Sequence, residues 1–191
     1  MPERVGIPGF RRGRRYVAAD ATTHPEFFTL YEADTLPVLQ GSDYANRLNA
    51  PTPWTRKVTA QFRDTARGLA QVLESAGPGA GGMLLTLRFD ADAAATDALR
   101  ALVRDAGRLP RVTGAHLGAT DAASSGVRTT ETKDRTDIQS PPTWFALVEA
   151  TDAEALDSVL PDAAVTAAGA RGPLVRGVYR LEYTRTKTAF S

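Results

Sequence analysis

The chain contains no cysteine and only two histidines, His24 and His116. Without cysteine there is no disulfide, no thiolate nucleophile, no iron–sulfur cluster and no cysteine-ligated zinc. Two histidines are too few for a three-histidine metal site within one chain. These absences exclude many enzyme classes, and they make a site without a metal the expectation.

Neither sign of charge prevails, because 23 Lys and Arg residues stand against 22 Asp and Glu residues, which gives a net charge of +1. The sequence therefore gives no electrostatic reason to expect a nucleic-acid or membrane partner. No apolar run reaches the roughly 18 residues of a membrane span, and the opening Met-Pro-Glu-Arg has no apolar signal core. We expect a cytoplasmic protein.

Sequence motifs that bind phosphate are also missing. No stretch matches a glycine-rich loop followed by Lys and Ser or Thr, and no dinucleotide fingerprint follows a predicted strand. We therefore expect no nucleotide and no other bound cofactor.

Glycine is concentrated near the middle of the 191 residues, where Gly-Pro-Gly-Ala-Gly-Gly occupies positions 77–82. Such a stretch sustains neither a helix nor a paired strand, and it predicts a linker. The composition, with 42% hydrophobic and 24% charged residues, is typical of a folded globular chain. We predict two half-domains that share a core, residues 1–76 and residues 83–191.

Both halves alternate predicted strands and helices. In the first half, residues 14–19 and 27–33 predict a β-hairpin, and residues 36–48 predict a helix. Residues 55–62 predict a strand that continues into a short helix as far as residue 73. The predicted strands of the second half are residues 83–89, 112–119, 144–150 and 177–184, and its predicted helices are residues 93–106 and 153–160. The second half thus has the order strand, helix, strand, strand, helix, strand.

The two halves are similar in sequence. Residues 27–34 (Phe-Phe-Thr-Leu-Tyr-Glu-Ala-Asp) align with residues 144–151 (Trp-Phe-Ala-Leu-Val-Glu-Ala-Thr), and residues 7–8 (Ile-Pro) align with residues 109–110 (Leu-Pro). A repeated supersecondary unit predicts an α+β fold of two tandem ferredoxin-like βαββαβ halves. Two such four-stranded antiparallel sheets, each with helices on one face, predict an α+β barrel of the dimeric type.

The first half has no counterpart of residues 83–106, the opening strand and helix of the second half. The hypothesis at this stage is that the first half is truncated at its start or that another chain supplies the strand. An uncovered sheet edge is normally protected in a folded protein. We therefore expect a homodimer.

Three segments resemble a bacterial family related to EthD and to the dimeric α+β barrel proteins. They are residues 2–18 (Pro-Glu-Arg-Val-Gly-Ile-Pro-Gly-Phe-Arg-Arg-Gly-Arg-Arg-Tyr-Val-Ala), 28–32 (Phe-Thr-Leu-Tyr-Glu) and 49–56 (Asn-Ala-Pro-Thr-Pro-Trp-Thr-Arg). Members of the wider superfamily include cofactor-free monooxygenases of aromatic polyketides, polyketide cyclases, muconolactone isomerases and haem enzymes. The resemblance implies a cavity within the barrel, or between sheet and helices, that takes small apolar molecules.

His116 is the principal candidate for a catalytic residue. It lies in Gly114-Ala-His-Leu-Gly118, and strand alternation places both glycines on the same face as the imidazole. The missing side chains predict space beside the ring, where a histidine can act as general base or acid. The alternative is that the glycines admit a neighbouring helix and that His116 makes only a local hydrogen bond.

Aromatic side chains with polar atoms are the candidate partners of His116. Tyr179 is predicted to assist catalysis, and alternation places it on one face with Tyr183, so that both line the cavity. The predicted substrate-binding residues are Tyr16, Tyr31, Trp144, Tyr183, Gly114 and Gly118. Core packing is the alternative for each aromatic residue, because a buried Tyr or Trp usually satisfies its polar atom while it packs.

Glu32 and Glu149 occupy equivalent places in the repeat, at the ends of predicted strands. Two such carboxylates can face a common cavity as an acid–base pair, and we predict Glu149 as a catalytic residue with His116. The alternative is that both carboxylates are solvated or paired with arginine. Arg14 and Arg15 are expected on opposite faces of a strand, and solvation and ion pairing are the expectation for their charges.

Residues 121–142 separate two strands that are predicted to pair, and they are far more than a hairpin needs. The segment predicts either a disordered excursion or a lid over the mouth of the cavity.

Taken together, these features predict a cofactor-independent enzyme that acts on a small apolar cyclic or aromatic, polyketide-like metabolite. Isomerisation, cyclisation, lyase chemistry and oxygenation are all open, with His116 transferring the proton. One alternative is a non-catalytic ligand-binding or assembly module of the same fold. The other is a haem protein in which His116 is the axial ligand.

Overall fold

The computed structural model describes residues 2–126 and 136–187. The strands within them are β1 (Phe10–Ala18), β2 (Phe27–Ala33), β3 (Thr65–Ala66), β4 (Ala70–Ala76), β5 (Met83–Ala91), β6 (Val112–Thr120), β7 (Ile138–Gln139), β8 (Trp144–Ala150) and β9 (Ala170–Thr186). The α-helices are α1 (Pro2–Val5), α2 (Leu36–Gln40), α3 (Ser42–Asn49), α4 (Pro53–Thr59), α5 (Thr96–Ala106), α6 (Ala122–Ser125) and α7 (Asp162–Ala167). Short 3₁₀ turns lie at Ala93–Ala95 and Glu154–Leu156.

Seven strands form one curled antiparallel sheet in the order β2-β1-β9-β5-β8-β6-β4. The two-residue strands β3 and β7 form a separate parallel pair. The predicted α+β class is confirmed, and the sheet with its helices corresponds to an open barrel.

The second half has the predicted ferredoxin-like arrangement, because its strands are ordered β9-β5-β8-β6 and α5 and α7 are its crossover helices. The first half contributes strands to both ends of this sheet, since β1 pairs with β9 and β4 pairs with β6. If the first half repeated the same order, its opening strand would lie between β4 and β2. No strand of the described residues occupies that place, so β2 and β4 are the two edges of the sheet.

The convex face of the sheet packs against helices and forms the larger core. Leu85 and Leu87 of β5 pack there with Leu99 and Val103, which lie on one face of α5. Residues 84–87 of β5 are buried in succession, as expected of a central strand that is covered on both sides. Leu84 points the other way, into a smaller core on the concave face.

Three predicted elements are wrong. Residues 55–62 do not form a strand, because Pro53 begins α4 and the Thr52 hydroxyl accepts a hydrogen bond from the Thr55 N–H, which caps the helix. The last strand of the first half is instead β4, where a short helix was predicted. Residues 153–160 contain only a 3₁₀ turn, and the helix of this region begins after Pro161 as α7.

The long segment at 121–142 is described only in part. Its first residues form α6, and β7 lies near its end, whereas residues 127–135 lie outside the described residues. The prediction of a disordered excursion or a lid therefore stays a prediction. Among the residues that the structure describes, no helix combines the length and the apolar character required to cross a bilayer.

Gly118 and Phe145 are cross-strand partners on the concave face. A Cβ atom at Gly118 would overlap the Phe145 ring, so the ring lies in the space that the missing side chain leaves. Phe145 in turn packs against the concave-face core of Tyr16, Leu84, Leu147 and Tyr179. The glycine is therefore required by the packing of β8 on β6.

Valine at Gly118 should overpack this contact and lower the free energy of unfolding by about 1–3 kcal/mol. Phe145→Ala should lower the free energy of unfolding by about 2–3 kcal/mol. The loss in the double variant should be at least about 1 kcal/mol smaller than the sum of the two single losses, because the valine no longer overlaps the Phe145 ring. Urea denaturation measures all three. Gly82→Val is the matched control, since no heavy atom lies within 4 Å of a Cβ there. Strict additivity of the two substitutions would contradict the assigned contact.

Candidate functional site

A buried ion pair joins Arg14 of β1 to Glu149 of β8 on the concave face. Arg14 Nη1 donates a hydrogen bond of 2.6 Å to Glu149 Oε2, and Nη2 donates one of 2.7 Å to Oε1 of Glu32 on β2. Arg14 is 2% exposed and Glu149 is 0% exposed. The structure therefore brings both strand-end carboxylates of the repeat to one guanidinium, and Arg12 completes the network with a 2.7 Å bond to Glu32.

The prediction for Arg14 and Arg15 is correct for their faces and wrong for the solvent exposure of Arg14. Arg14 and Arg15 do lie on opposite faces, and Arg15 pairs with Glu182 at the surface at 2.9 Å. The expectation of a solvated pair is wrong for Arg14, because the curl of the sheet turns its side chain into the interior. Arg14 is thus a site residue that the sequence analysis missed.

Glu149 is held ionised. Burial by itself raises the pKa of this carboxyl, but the contacts with His116 and Arg14 and the N–H of Gly81 more than offset it and hold the pKa at about 2. The Gly81 N–H donates to Oε2 at 2.9 Å, so the end of the glycine-rich linker also binds this carboxylate. Burial likewise opposes the charge of Arg14, yet the hydrogen bond to Glu149 leaves the pKa of Arg14 raised.

His116 lies between this carboxylate and a serine. Its Nε2 is 3.5 Å from Glu149 Oε1, and its Nδ1 is 2.7 Å from the hydroxyl of Ser75 on β4. The side chain of His116 is 24% exposed. The ring therefore connects a buried carboxylate to an exposed hydroxyl.

A β-bulge in β4 aims Ser75 at His116. The register of β4 on β6 shifts between Val72 and Glu74, so that Val72 pairs with Gly118 and Ser75 pairs with His116. Without the extra residue, Ser75 would lie on the opposite face from Val72. Ser75 was not predicted as a site residue, because no local sequence pattern predicts a bulge in an edge strand.

The two glycines beside His116 do share its face, but they do not leave the predicted space for a ligand. The Phe145 ring lies against Gly118, and a Cβ at Gly114 would meet the Gly79 carbonyl and lie 3.1 Å from His116 Nε2. That part of the prediction is wrong, because the linker and a cross-strand ring fill both places.

Two of the predicted tyrosines lie in the concave-face core with Phe28 between them. The Phe28 ring centroid is 6.1 Å from that of Tyr16 and 5.7 Å from that of Tyr179. The Tyr179 hydroxyl donates to the Pro25 carbonyl at 3.0 Å, and burial raises the pKa of Tyr179. Burial also raises the pKa of Tyr16, so both phenols are neutral.

The other three aromatic residues are not brought to His116. Tyr31 packs under the helices of the first half, 6.2 Å from the Phe10 ring, and Trp144 belongs to the convex-face core. Tyr183 pairs with Arg15, because the register of β1 on β9 shifts next to it, and it is 44% exposed. The predicted shared face of Tyr179 and Tyr183 is therefore wrong.

Three buried polar atoms of this cluster have no hydrogen-bond partner among the described residues. They are Nε of Arg14, the hydroxyl oxygen of Tyr16 and Oε1 of Glu149. Buried polar atoms of this kind are normally satisfied by water or by a bound polar group. Among residues 2–126 and 136–187, no group of three or more His, Cys, Asp and Glu side chains is placed to hold a metal ion.

Comparison with known proteins finds similarity in structure alone. No protein-family model matches the chain, and no curated protein matches it. An anthrone oxidase-like protein of known structure is 12% identical, with a TM-score of 0.56, over 96% of this chain and 82% of that one. A protein from Fusobacterium nucleatum that is named a monooxygenase is 9% identical, with a TM-score of 0.54, over 97% of this chain and 84% of that one. At these identities the likeness shows the fold.

The lowered pKa of Glu149 makes the stability of the fold dependent on pH. Because the folded pKa of about 2 lies below the ordinary value of 4.5, the stabilisation is complete above about pH 5 and is lost as the pH falls toward 2. The loss should amount to about 3 kcal/mol, most of it by about pH 3. Urea denaturation of the wild type and of Glu149→Gln at each pH measures it.

The free-energy gap between wild type and Glu149→Gln should therefore be largest at neutral pH and shrink as the pH falls. Glu154→Gln is the matched control, since Glu154 is 80% exposed in its pair with Arg111 and its loss should be small at every pH. A gap for Glu149→Gln that stays constant from pH 7 to pH 3 would show that the carboxylate is not the titrating group.

Proposed function

We propose that the chain oxygenates a small, mostly apolar aromatic metabolite without a bound cofactor, and that His116 is the general base. The observation that carries this proposal is the buried, ionised Glu149 beside the partly exposed His116, on a concave surface with aromatic rings. A carboxylate in this position orients the imidazole and stabilises the imidazolium that forms when the ring takes a proton. The names of the two structural neighbours favour oxygenation over the other reactions.

The surface around His116 suits an apolar, ring-shaped substrate. Val72, on the same face of β4 as Ser75, is 58% exposed, and Phe145 is partly buried next to it across β6. Phe28 and Leu30 of β2 extend the apolar concave surface on the far side. Sites for small molecules are mostly apolar, with a few convergent polar groups that fix orientation, and this surface has that composition.

The proposed reaction begins with the removal of a proton from a methylene group that lies between aromatic rings and is acidified by a ring carbonyl. His116 takes the proton, and Glu149, kept ionised by Arg14, stabilises the charged ring. The resulting carbanion passes an electron to O₂, recombination of the two radicals gives a peroxide anion, and His116 returns its proton to form the hydroperoxide. Loss of water from the hydroperoxide leaves a ketone, so that CH₂ and O₂ become C=O and H₂O.

The other reactions predicted from the sequence begin with the same proton transfer. Isomerisation, cyclisation and lyase chemistry each need a base beside an acidic C–H bond, and they differ in what the carbanion does next. Substrates of the polyketide type, the likeness to EthD-related proteins and a location in the cytoplasm are part of the same proposal. They rest on the sequence resemblance and on the expectations drawn from it.

Haem ligation by His116 fits the site poorly. One ring nitrogen is hydrogen-bonded to Ser75 and the other faces Glu149, so ligation would require that one of these contacts be broken. The absorption spectrum of the purified protein distinguishes the two cases, because a haem protein has a Soret band.

We also propose that the protein is a homodimer. Within the described residues, β2 and β4 each pair on one side only, and exposed edges of this kind favour association. Light scattering should give twice the mass of the chain at micromolar concentration, and a monomer at that concentration would refute the proposal.

The proposed oxygenation is tested with anthrone, a tricyclic ketone with an activated methylene group, as the probe. Oxygen uptake and quinone formation should occur with the wild type, and His116→Asn should slow them about 10²- to 10⁴-fold while circular dichroism shows that the variant is folded. His24→Asn is the matched control, because His24 is exposed and lies in the turn between β1 and β2. It should react as the wild type does.

Two outcomes would count against this function. Equal oxygen uptake by wild type and His116→Asn would remove His116 as the base. Saturable binding of anthrone without any oxygen uptake would favour the non-catalytic binding module.

A further inference from the structure

The serine, the histidine and the carboxylate lie in a row on three adjacent strands. Ser75 is on β4, His116 on β6 and Glu149 on β8, and these strands are neighbours in the sheet. The hydroxyl of Ser75 contacts Nδ1 at 2.7 Å, and Glu149 lies 3.5 Å from Nε2, at the other end of the ring. Nucleophile, base and orienting carboxylate are recognised by this arrangement and not by their order in the chain.

We propose that Ser75 is a nucleophile and that Ser75, His116 and Glu149 together transfer acyl groups from small aryl esters. This activity goes beyond the proposed oxygenation, although it rests on the same histidine and carboxylate. It forms a covalent bond to the protein and consumes no oxygen.

The direction of the Ser75 hydrogen bond follows from the charge of Glu149. Nε2 faces the ionised carboxylate at 3.5 Å, and the negative charge favours the tautomer with the imidazole proton on Nε2. Nδ1 is then an acceptor, and the Ser75 hydroxyl is the donor of the 2.7 Å bond. The proton of the nucleophile is therefore already directed at the base.

Exposure to solvent decreases from Ser75 through His116 to Glu149. Ser75 is exposed, the His116 side chain is 24% exposed and the Glu149 side chain is 1% exposed. A substrate can thus reach the hydroxyl while the carboxylate stays in the dry interior, where its effect on the imidazole is strongest. The bulge in β4 is what gives Ser75 this position, and bulges are over-represented next to active sites.

The neighbouring side chains indicate the class of ester. Val72 and Phe145 lie beside Ser75 and His116 on the concave face, so the acyl and leaving groups meet an apolar surface. An aryl ester suits it, since its phenol is apolar and leaves as a stabilised phenoxide. That leaving group reduces the demand for additional hydrogen-bond donors at the carbonyl oxygen.

The reaction balances without any further reagent. The Ser75 oxygen attacks the ester carbon while His116 takes its proton, and the ester C–O bond then breaks as the phenoxide departs and receives that proton from His116, which gives a phenol. Water then attacks the acyl-serine, gives a proton to His116 and displaces the Ser75 oxygen, which recovers a proton. The products are a carboxylic acid and a phenol.

A fluorophosphonate probe tests the nucleophile directly, because the serine oxygen displaces fluoride from phosphorus and the adduct is stable. The full chain should gain one phosphonyl group, and peptide mass spectrometry should locate it at Ser75. His116→Asn and Glu149→Gln should slow the labelling about 10²-fold or more, and phenyl acetate hydrolysis should fall in parallel. Ser75→Ala should abolish both reactions.

Ser158→Ala is the matched control, since Ser158 is also an exposed serine, and it should label as the wild type does. Each variant is first shown by circular dichroism to be folded at the labelling pH, since Glu149→Gln is expected to lower the free energy of unfolding. The proposal is overturned if Ser75 remains unlabelled in the folded protein, or if it is labelled no faster in the wild type than in His116→Asn.

The two proposals fail separately. Oxygen uptake with anthrone but no adduct on Ser75 would overturn the acyl transfer alone. An adduct that depends on His116, without oxygen uptake, would overturn the oxygenation alone.

Discussion

The contact between Arg14 and Glu149 constrains the whole concave face. The two residues belong to β1 and β8, and β9 and β5 lie between these strands in the sheet. Their 2.6 Å hydrogen bond therefore crosses the interior of the curl. A buried ion pair adds little net stability, but loss of either partner leaves an uncompensated buried charge. The pair thus opposes any flattening of the sheet, because flattening would separate the charges.

The same contact sets the chemistry of the groups beyond it. Arg14 keeps Glu149 ionised, and the ionised carboxylate determines which nitrogen of His116 carries the proton. The orientation of the imidazole in turn determines that Ser75 donates its hydrogen bond to the ring. The buried charge of Glu149 thus determines the direction of a hydrogen bond made by an exposed hydroxyl two strands away.

The fold was largely predictable because it depends on local patterns. Alternation and apolar runs located β1, β2, β5, β6, β8 and β9, and the internal repeat gave the βαββαβ order of the second half. The face of His116 also followed from alternation. Residues 55–62 were wrongly predicted as a strand because polar and apolar side chains alternate there. The N-cap at Thr52 and the proline at position 53 favour a helix instead.

The site was less predictable because it depends on contacts between distant residues. The partner of Arg14 is 135 positions away, and its burial follows from the curl of seven strands, which no single segment encodes. The faces of Ser75 and Tyr183 depend on register shifts, and one extra residue reverses a prediction based on alternation. Glu149 and Glu32 were paired by the repeat, but only the structure places a cation between them.

The exchange of strands between the halves has a consequence for biosynthesis. The hairpin of β1 and β2 is translated early, yet its other neighbour, β9, comes from residues 170–186. A domain that is complete in itself folds as soon as it leaves the ribosome, and domains generally do so in order from the N-terminus. Here the inner edge of the first hairpin stays unpaired until almost all of the described chain has been synthesised. Until then the hairpin exposes an unpaired strand edge, which is a template for pairing with another chain.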